Sequence, residues 1–190
     1  MSYSTSAPAR GRRTRPTVLV VLGSAGAALV GFLVASSLAP SSSAAPPIAV
    51  ESLAADDVQA VANLDPRLLE ALRAAAADAA DDGTTLYVNS GWRSPEHQRE
   101  LLREAVSKYG SHAEAARWVA TPETSPHVSG DAVDVGPSDA RSWLSEHGAA
   151  YGLCQIYRNE PWHYELRPAA VDHSCPDTYA DPTEDPRMGP

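Results

Sequence analysis

The chain has 190 residues, a formal net charge of −9 and a hydrophobic fraction of 43%, much of it alanine. This length is enough for one ordinary domain with additional segments. Four of the 15 Lys and Arg residues precede residue 45, so the rest of the chain carries 11 basic against 24 acidic residues. Because phosphate binding needs clustered Lys and Arg, the acidic body argues against a nucleic-acid partner.

Residues 1–38 are predicted to direct the chain out of the cytoplasm. A basic tail precedes an uncharged, mostly apolar run of about twenty residues, which is long enough to span a bilayer as a helix. Positive residues before such a run hold its N-terminus inside the cell. The small residues of the linker at 39–52 also suit a signal peptidase. The body is therefore expected outside the cytoplasm, either secreted into the cell envelope or anchored in the membrane by this segment.

Capping and turn residues predict four helices in the body, residues 53–176. The expected N-caps are Asp65, Ser94, Ser111 and Ser138. A proline follows each of the first two caps, at a position where its missing N–H is not needed, and Gly83 and Gly110 end these two helices. The third helix opens with a capping box.

The strand signals come mainly after the helix signals. Expected strands are "TTLYV" running into a turn, the alternating "GDAVDVG", and the neighbouring pair "LCQIY" and "WHYELR". Strands and helices do not alternate regularly. The predicted fold class is therefore α+β, with a small antiparallel sheet and helices contributed mainly by the N-terminal half.

The end of the chain contains the two cysteines and an acidic tail. Export would place Cys154 and Cys175 in an oxidising compartment, where a pair is expected to form a disulfide. Such a bridge ties the C-terminal segment to the body. Residues 177–190 are acidic and proline-rich, which predicts disorder.

The stretch "SPHVSGDAVDVG" carries the first candidate site residues. Alternation along its strand puts Gly130, Ala132 and Asp134 on one face, so small residues leave the face of Asp134 uncrowded. A bent loop before the strand can bring the imidazole of His127 beside the Asp134 carboxylate. Alone, a histidine and an aspartate at this spacing are more often an ordinary solvated pair than a site.

The stretch "NEPWHYEL" carries the second set. His163 and Glu165 share one strand face, while Trp162 and Tyr164 share the other. The two aromatic rings are expected to pack into a core, which turns His163 toward a cleft. A proline separates Glu160 from the strand, so alternation does not determine where Glu160 points.

Together these segments contain the residue types of a catalytic zinc site, which needs three protein ligands and one open position for water. Two imidazoles and a carboxylate are available in His127, Asp134 and His163. Zinc lowers the pKa of such a water to about 7. Another carboxylate, either Glu160 or Glu165, would then take the water's proton and pass it to the leaving amine.

Arg93 lies in a third segment, "NSGWRSPEHQ", at a predicted strand-to-helix turn. From there its guanidinium can reach a cleft and stabilise an oxyanion or bind a carboxylate. The tryptophans outside the "EPWHYEL" stretch are expected to pack mainly in the core. These are Trp92, Trp118 and Trp143.

The segments "SGWRSPEHQ", "SPHVSGDAVDVG" and "EPWHYEL" occur in this order in the VanY-like D-alanyl-D-alanine carboxypeptidases, and the chain resembles that family over about residues 60–167. The pattern S-x-H-x-x-G-x-A-x-D is matched from Ser125 to Asp134, and E-x-W-H-Y from Glu160 to Tyr164. The family belongs to a wider group of zinc peptidases that includes D-Ala-D-Ala dipeptidases, some phage endolysins and the zinc fold of hedgehog domains. No single motif identifies the family, but the occurrence of all three in this order is a strong indication of it.

The resemblance implies a role for each matched position. The Zn²⁺ ligands would be His127, Asp134 and His163. Glu160, rather than Glu165, would be the general base and acid. Arg93 would orient the substrate and stabilise the transition state. Ser125 would contact the substrate, and Gln98 would line the cleft.

The expected function is a monomeric zinc D,D-carboxypeptidase that removes the terminal D-Ala from peptidoglycan stem peptides by attack of a zinc-activated water. One alternative is an endopeptidase or D-Ala-D-Ala dipeptidase acting on other bonds of the same wall peptides. Another is a non-catalytic zinc domain that binds the cell wall. The presence of Glu160 beside His163 argues against the second alternative, because a structural zinc site needs no base.

Overall fold

The computed structural model describes residues 48–49 and 59–189. Its helices are α1 (Gln59–Ala62), α2 (Pro66–Asp81), α3 (Pro95–Tyr109), α4 (His112–Ala116), α5 (Pro126–Ser129) and α6 (Ser138–His147). Its strands are β1 (Ile48–Ala49), β2 (Tyr87–Ser90), β3 (Ala132–Gly136), β4 (Leu153–Gln155) and β5 (His163–Leu166). Short 3₁₀ helices lie at Gly148–Tyr151, Pro168–Val171, Pro182–Glu184 and Pro186–Met188.

The predicted export segment at 1–38 lies outside the described residues. So does the predicted linker at 39–52, apart from its two residues in β1. Among the residues that are described, no helix is both long enough and apolar enough to cross a membrane.

The helix starts follow from capping chemistry in three of the four predicted cases. Asp65, Ser94 and Ser111 cap α2, α3 and α4, and each side chain accepts a hydrogen bond from a backbone N–H two or three residues later. The prediction that Ser138 caps α6 is wrong, because Ser138 is the first helical residue. The chain leaves β3 through a proline in extended backbone, and that proline takes the N-cap position.

The five strands form one antiparallel sheet in the order β1-β2-β3-β5-β4. This confirms the predicted α+β class. The central strand β3 is buried along its whole length and lies between β2 and β5. In this register Asp134 faces Ser90 on one side and His163 on the other. The sheet therefore brings three chain segments together around Asp134.

The hydrophobic core lies between the sheet and the helices α2 and α6. From β3, Val133 and Val135 enter this core with 0% exposure. Because side chains alternate along a strand, Asp134 points to the opposite face of the sheet. The alternation predicted for β3 thus separates its core-forming residues from its polar residue.

The predicted disulfide between Cys154 and Cys175 is present, with the sulfur atoms 2.02 Å apart. It joins β4 to Cys175, which lies just before the C-terminal segment, defined here as residues 177–189. This segment was predicted to be disordered, but in the structure it contains two 3₁₀ helices. Its buried carboxylates explain the difference, because Asp181 bonds to Arg117 and Asp185 bonds to Tyr157. Composition alone predicts that these acidic residues are solvated, whereas in the structure they form hydrogen bonds with side chains of the domain.

Candidate functional site

Three side chains able to ligate a metal converge on the face of the sheet opposite the core. Pairing of β3 with β5 sets Asp134 directly across from His163. The single-turn helix α5, where the sequence predicts a loop, supplies His127. Asp134 Oδ1 lies 3.4 Å from His127 Nε2 and 3.5 Å from His163 Nδ1. One ligand atom from each of the three residues lies within 4.8 Å of the others. The structure therefore brings together all the residues predicted as zinc ligands.

The backbone determines which nitrogen of His127 faces Asp134. His127 Nδ1 lies 2.8 Å from the carbonyl oxygen of Gly91, which can only accept a hydrogen bond, so Nδ1 carries the hydrogen. Nε2 of the neutral ring then presents a lone pair to Asp134. Gly91 has no room for a side chain here, because a Cβ would collide with the carbonyl oxygen of Ala60.

Glu165 orients His163 in the same manner. Its Oε1 lies 3.1 Å from His163 Nε2, and because the ionised carboxylate only accepts, Nε2 carries the hydrogen. His163 Nδ1 then presents a lone pair, and this buried atom has no hydrogen-bond partner among the described residues. Three electron-rich atoms thus face one another, which is unfavourable unless a positive charge lies between them. A divalent cation fits this set, and a carboxylate behind a histidine ligand is typical of zinc sites.

The pKa values around the centre reflect the same arrangement of charges. Burial by itself would raise the pKa of Asp134, but His127, His163 and Arg93 hold it far below its ordinary range. Burial by itself would lower the pKa of His163, but the neighbouring carboxylates of Asp134 and Glu165 raise it to about 9. At His127 the burial effect prevails and the pKa is lowered. The field of the two carboxylates therefore favours a positive charge beside His163.

The two carboxylates considered as general base lie on opposite sides of His163. Glu160 Oε2 is 3.8 Å from Nδ1, the nitrogen that faces Asp134, and Glu160 lines the same cleft as the three ligands. Burial raises the pKa of Glu160 to about 7, against the opposing charge of His163. Glu165 lies behind the ring at Nε2 and has 0% exposure. Glu160 alone of the pair is placed beside the ligand atoms.

Arg93 lines the cleft and is held by three side chains. Its Nη2 donates to Asp134 Oδ2 at 2.7 Å, its Nε to Ser90 Oγ at 2.9 Å and its Nη1 to Gln98 Oε1 at 3.3 Å. The turn after β2 thus delivers Arg93 to the cleft, as expected. Its bond to Asp134, which neutralises part of the ligand carboxylate, was not anticipated.

Ser125 and Gln98 both line the cleft but differ in how their polar atoms are used. Gln98 is 1% exposed, accepts from Arg93 and donates to the carbonyl oxygen of Ala120 at 3.0 Å. The Ser125 hydroxyl is buried and has no hydrogen-bond partner among the described residues. Gln98 is therefore committed to the protein, whereas the Ser125 hydroxyl is not.

A cleft of about 380 Å³ lies in front of the three ligands, and aromatic side chains form part of its wall. Tyr109 and Trp118 stack with their ring centres 5.8 Å apart. Trp118 is 39% and Trp162 36% exposed, so the expectation that both pack in the core is wrong. Strand β5 begins only at His163, so alternation does not extend to Trp162. Tyr164 is buried as expected.

Sequence reasoning missed the groups behind His163. Glu165 was noted as a neighbour of His163 on one strand face, and that spacing is the only local signal for its role. Arg167 and Arg187 donate to its carboxylate, and the ring of Tyr157 lies 5.1 Å from the ring of His163. Arg187 is 22 residues from Glu165, too far for any local pattern to connect the two.

Residues 61–169, more than half of the chain, match the family model of VanY, D-alanyl-D-alanine carboxypeptidase. A curated D-alanyl-D-alanine carboxypeptidase from Enterococcus faecalis is 35% identical over 108 residues, which cover 44% of this chain and 40% of that protein. The chain thus spans about 40% of the length of this relative.

Two solved structures are similar as well. One is a mutant of the vancomycin resistance D,D-pentapeptidase VanY from a VanB-type cassette in complex with Zn(II), with 31% identity and a TM-score of 0.53 over 57% of this chain and 76% of that chain. The other is VanYB in complex with D-Alanine-D-Alanine, with 31% identity and a TM-score of 0.54 over 57% of this chain and 75% of that chain. The family match includes the three candidate ligands, both flanking glutamates and Arg93, but not Arg187.

Proposed function

The chain belongs to the VanY family of D-alanyl-D-alanine carboxypeptidases, and on that premise we propose that it is a zinc-dependent D,D-carboxypeptidase that removes the terminal D-Ala from peptidoglycan stem peptides. The observation that carries this proposal is the convergence of His127, Asp134 and His163 in one cleft with Glu160 beside them. The substrate assignment is supported by the relative that binds D-Alanine-D-Alanine.

Zinc would be held by His127 through Nε2, Asp134 through Oδ1 and His163 through Nδ1. Two imidazoles and a carboxylate suit zinc and leave a position for water. The similar VanY structure in complex with Zn(II) supports this choice of metal. When bound, zinc supplies Lewis acidity toward the peptide carbonyl and lowers the pKa of a water to about 7.

Glu160 is the proton carrier in this proposal. Its carboxylate takes a proton from the attacking water while the water oxygen bonds to the carbonyl carbon of the penultimate D-Ala. The same carboxyl then gives that proton to the nitrogen of the terminal D-Ala as the C–N bond breaks. Burial raises the pKa of Glu160 to about 7, and a cation nearby favours its ionised form before the reaction. A carboxyl poised in this way can both accept and return a proton near neutral pH.

Arg93 supplies fixed positive charge at the cleft wall. Its three hydrogen bonds hold the guanidinium in place before any substrate arrives. A preorganised cation stabilises negative charge that develops on the carbonyl oxygen without reorganising during the reaction. Ser125, with its unpartnered hydroxyl, is the candidate to hydrogen-bond the backbone of the bound peptide.

The nearest alternative function is cleavage of a different bond in the same wall peptides, as by an endopeptidase or a D-Ala-D-Ala dipeptidase. All three activities can use the same metal, base and arginine, so the mass of the product distinguishes them. A non-catalytic zinc domain is less consistent with the site, because it gives Glu160 no role in the cleft. The proposed setting is the cell envelope, with residues 1–38 acting as a signal or as a membrane anchor.

The proposal is tested by incubating the full chain with a stem pentapeptide that ends in D-Ala-D-Ala, with added zinc or with a chelator, and measuring product masses. We expect loss of one D-Ala, abolished by the chelator and restored by zinc. Release of the D-Ala-D-Ala dipeptide would reassign the chain as a dipeptidase. Failure to release D-Ala from any such peptide, with zinc bound, would refute the carboxypeptidase assignment.

A further inference from the structure

The C-terminal segment lies beyond residues 61–169, which match the family, and the proposed reaction makes no use of it. It nevertheless reaches the groups behind His163. Arg187 donates from Nη1 to Glu165 Oε2 at 2.6 Å and from Nη2 to Glu165 Oε1 at 3.2 Å. Arg187 therefore pairs with both oxygens of the carboxylate that orients His163.

The geometry distinguishes Arg187 from the second arginine at this carboxylate. Arg167 bonds only to Oε2 of Glu165, at 2.6 Å. Arg187 also bonds to Oε1, the oxygen that accepts from His163 Nε2. A two-pronged contact fixes the plane of a carboxylate, whereas a contact to one oxygen leaves it free to rotate about that bond.

Arg187 is itself held in place by a buried partner. Its Nε lies 3.0 Å from Asp185 Oδ1, and Asp185 also accepts from the Tyr157 hydroxyl at 2.9 Å. The ring of Tyr157 packs against His163. Although the Arg187 side chain is 43% exposed, the side chains of Glu165 and Asp185 are 1% and 0% exposed. The pair with Glu165 is thus shielded from solvent on its acidic side, unlike an ordinary surface ion pair.

We propose that Arg187 is a positioning residue for the metal centre, which fixes the Glu165 carboxylate and through it the orientation in which His163 presents Nδ1 to the cleft. The inference rests on the proposed function, because it requires a metal at His163. It also gives the C-terminal segment a role in a site that the matched region alone does not complete.

The test measures the zinc affinity of the full chain by competition with a chelator. Outer partners of histidine ligands typically contribute about 10–100-fold to metal affinity. Because Arg187 acts through such a partner, Arg187→Gln is expected to weaken zinc binding about tenfold, the lower end of that range. Arg187→Lys keeps the charge but not the two-pronged contact. Its zinc affinity is therefore expected to lie between that of wild type and that of Arg187→Gln. Arg167→Gln is expected to have a smaller effect than Arg187→Gln. Arg103→Gln is the matched control, because Arg103 pairs with Glu100 on the exposed surface of α3.

A purely structural role for Arg187 would lower thermal stability without changing the metal centre. The absorption spectrum of the cobalt-substituted protein is therefore the second readout, and Arg187→Gln is expected to alter it. Zinc affinity within twofold of wild type, with an unchanged cobalt spectrum, would overturn the inference. If Arg187→Gln does not fold, Arg187→Lys decides by the same two measurements. A wild-type chain that binds zinc but releases no D-Ala would refute the carboxypeptidase alone, since the zinc affinities still decide the role of Arg187.

Discussion

Glu160 and Glu165 flank the same histidine but have opposite electrostatic states. On the cleft side, burial raises the pKa of Glu160 to about 7. On the far side, Glu165 is just as buried, yet hydrogen bonds from His163 and Arg187 and the charge of Arg167 lower its pKa to about 2. One carboxyl can change its protonation near neutral pH and the other stays ionised.

Both carboxyls are buried, so the charges around them, rather than burial, separate their pKa values. A pair of carboxyls whose surroundings separate their pKa values is typical of a site in which one exchanges protons and the other holds structure. Glu160 is matched to proton transfer, while Glu165 is matched to orienting a ligand.

The largest effect is expected at Glu160. Glu160→Gln removes the proposed proton carrier, and general acid–base catalysis typically contributes about 10²–10⁴-fold. D-Ala release should fall by that factor, while zinc affinity stays within twofold and the melting temperature does not decrease. The measurements are pentapeptide turnover, chelator competition and thermal unfolding. More than a tenth of wild-type turnover in this variant would contradict the assignment of Glu160.

Glu165→Gln should produce the converse pattern. Removing one partner of a buried ion pair typically costs about 3–5 kcal/mol, because the remaining charges are left uncompensated. We expect a loss of about that size in the free energy of unfolding by urea, together with zinc binding weakened by about 10–100-fold, more than in Arg187→Gln. Glu146→Gln is the matched control, since Glu146 is 76% exposed. Equal stability of the two variants would argue against Glu165 as an anchor.

The disulfide should stabilise the fold without affecting the chemistry in the cleft. It closes a loop with a sequence separation of 21 residues, which corresponds to about 3 kcal/mol in the chain-entropy description. The double variant Cys154→Ser, Cys175→Ser is therefore expected to lose about that much unfolding free energy, measured in urea. Its turnover number for D-Ala release, measured with saturating zinc under conditions where the variant is folded, should stay within about threefold of wild type. A selective loss of turnover would show that the bridge also shapes the cleft.

The smallest effect is expected on stability at low pH, where Asp185 becomes protonated. Burial by itself would raise the pKa of Asp185, but Arg187 and Tyr157 hold it below the ordinary value of 3.8. Because the folded pKa is the lower one, Asp185 contributes stability above pH 3.8, and this contribution is lost as the pH falls through the folded pKa. Urea midpoints of wild type and Asp185→Asn should therefore differ at pH 7, and the difference should shrink as the pH falls below 3.8. A constant difference would mean that the ionisation of Asp185 does not support the C-terminal segment.

Local signals were sufficient for much of the fold. Capping by Asp65, Ser94 and Ser111 depends on hydrogen bonds within two or three residues, so a linear sequence contains the information. Alternation in β3 likewise separates Val133 and Val135 from Asp134 because the period of a strand is set by its backbone. The α+β class follows from the order of such elements.

Local signals failed where an outcome depends on what a segment meets in space. The exposure of Trp162 depends on where β5 begins, which is set by its pairing with β3. The order of the C-terminal segment depends on arginine and tyrosine partners supplied by distant parts of the chain, including Arg117 and Tyr157. Composition counts acidic residues but does not reveal which of them find a partner.

The residue types of the candidate centre, two imidazoles and a carboxylate in ordered motifs, could be read from the sequence, as could both carboxyls able to serve as its base. Folding places Glu160 on the cleft side of His163 and Glu165 behind it, and it brings Arg187 to Glu165 from 22 residues away. The physical reason is that ligand chemistry belongs to each side chain, whereas its protonation and orientation depend on charges brought close by strand pairing and by the docking of the C-terminal segment.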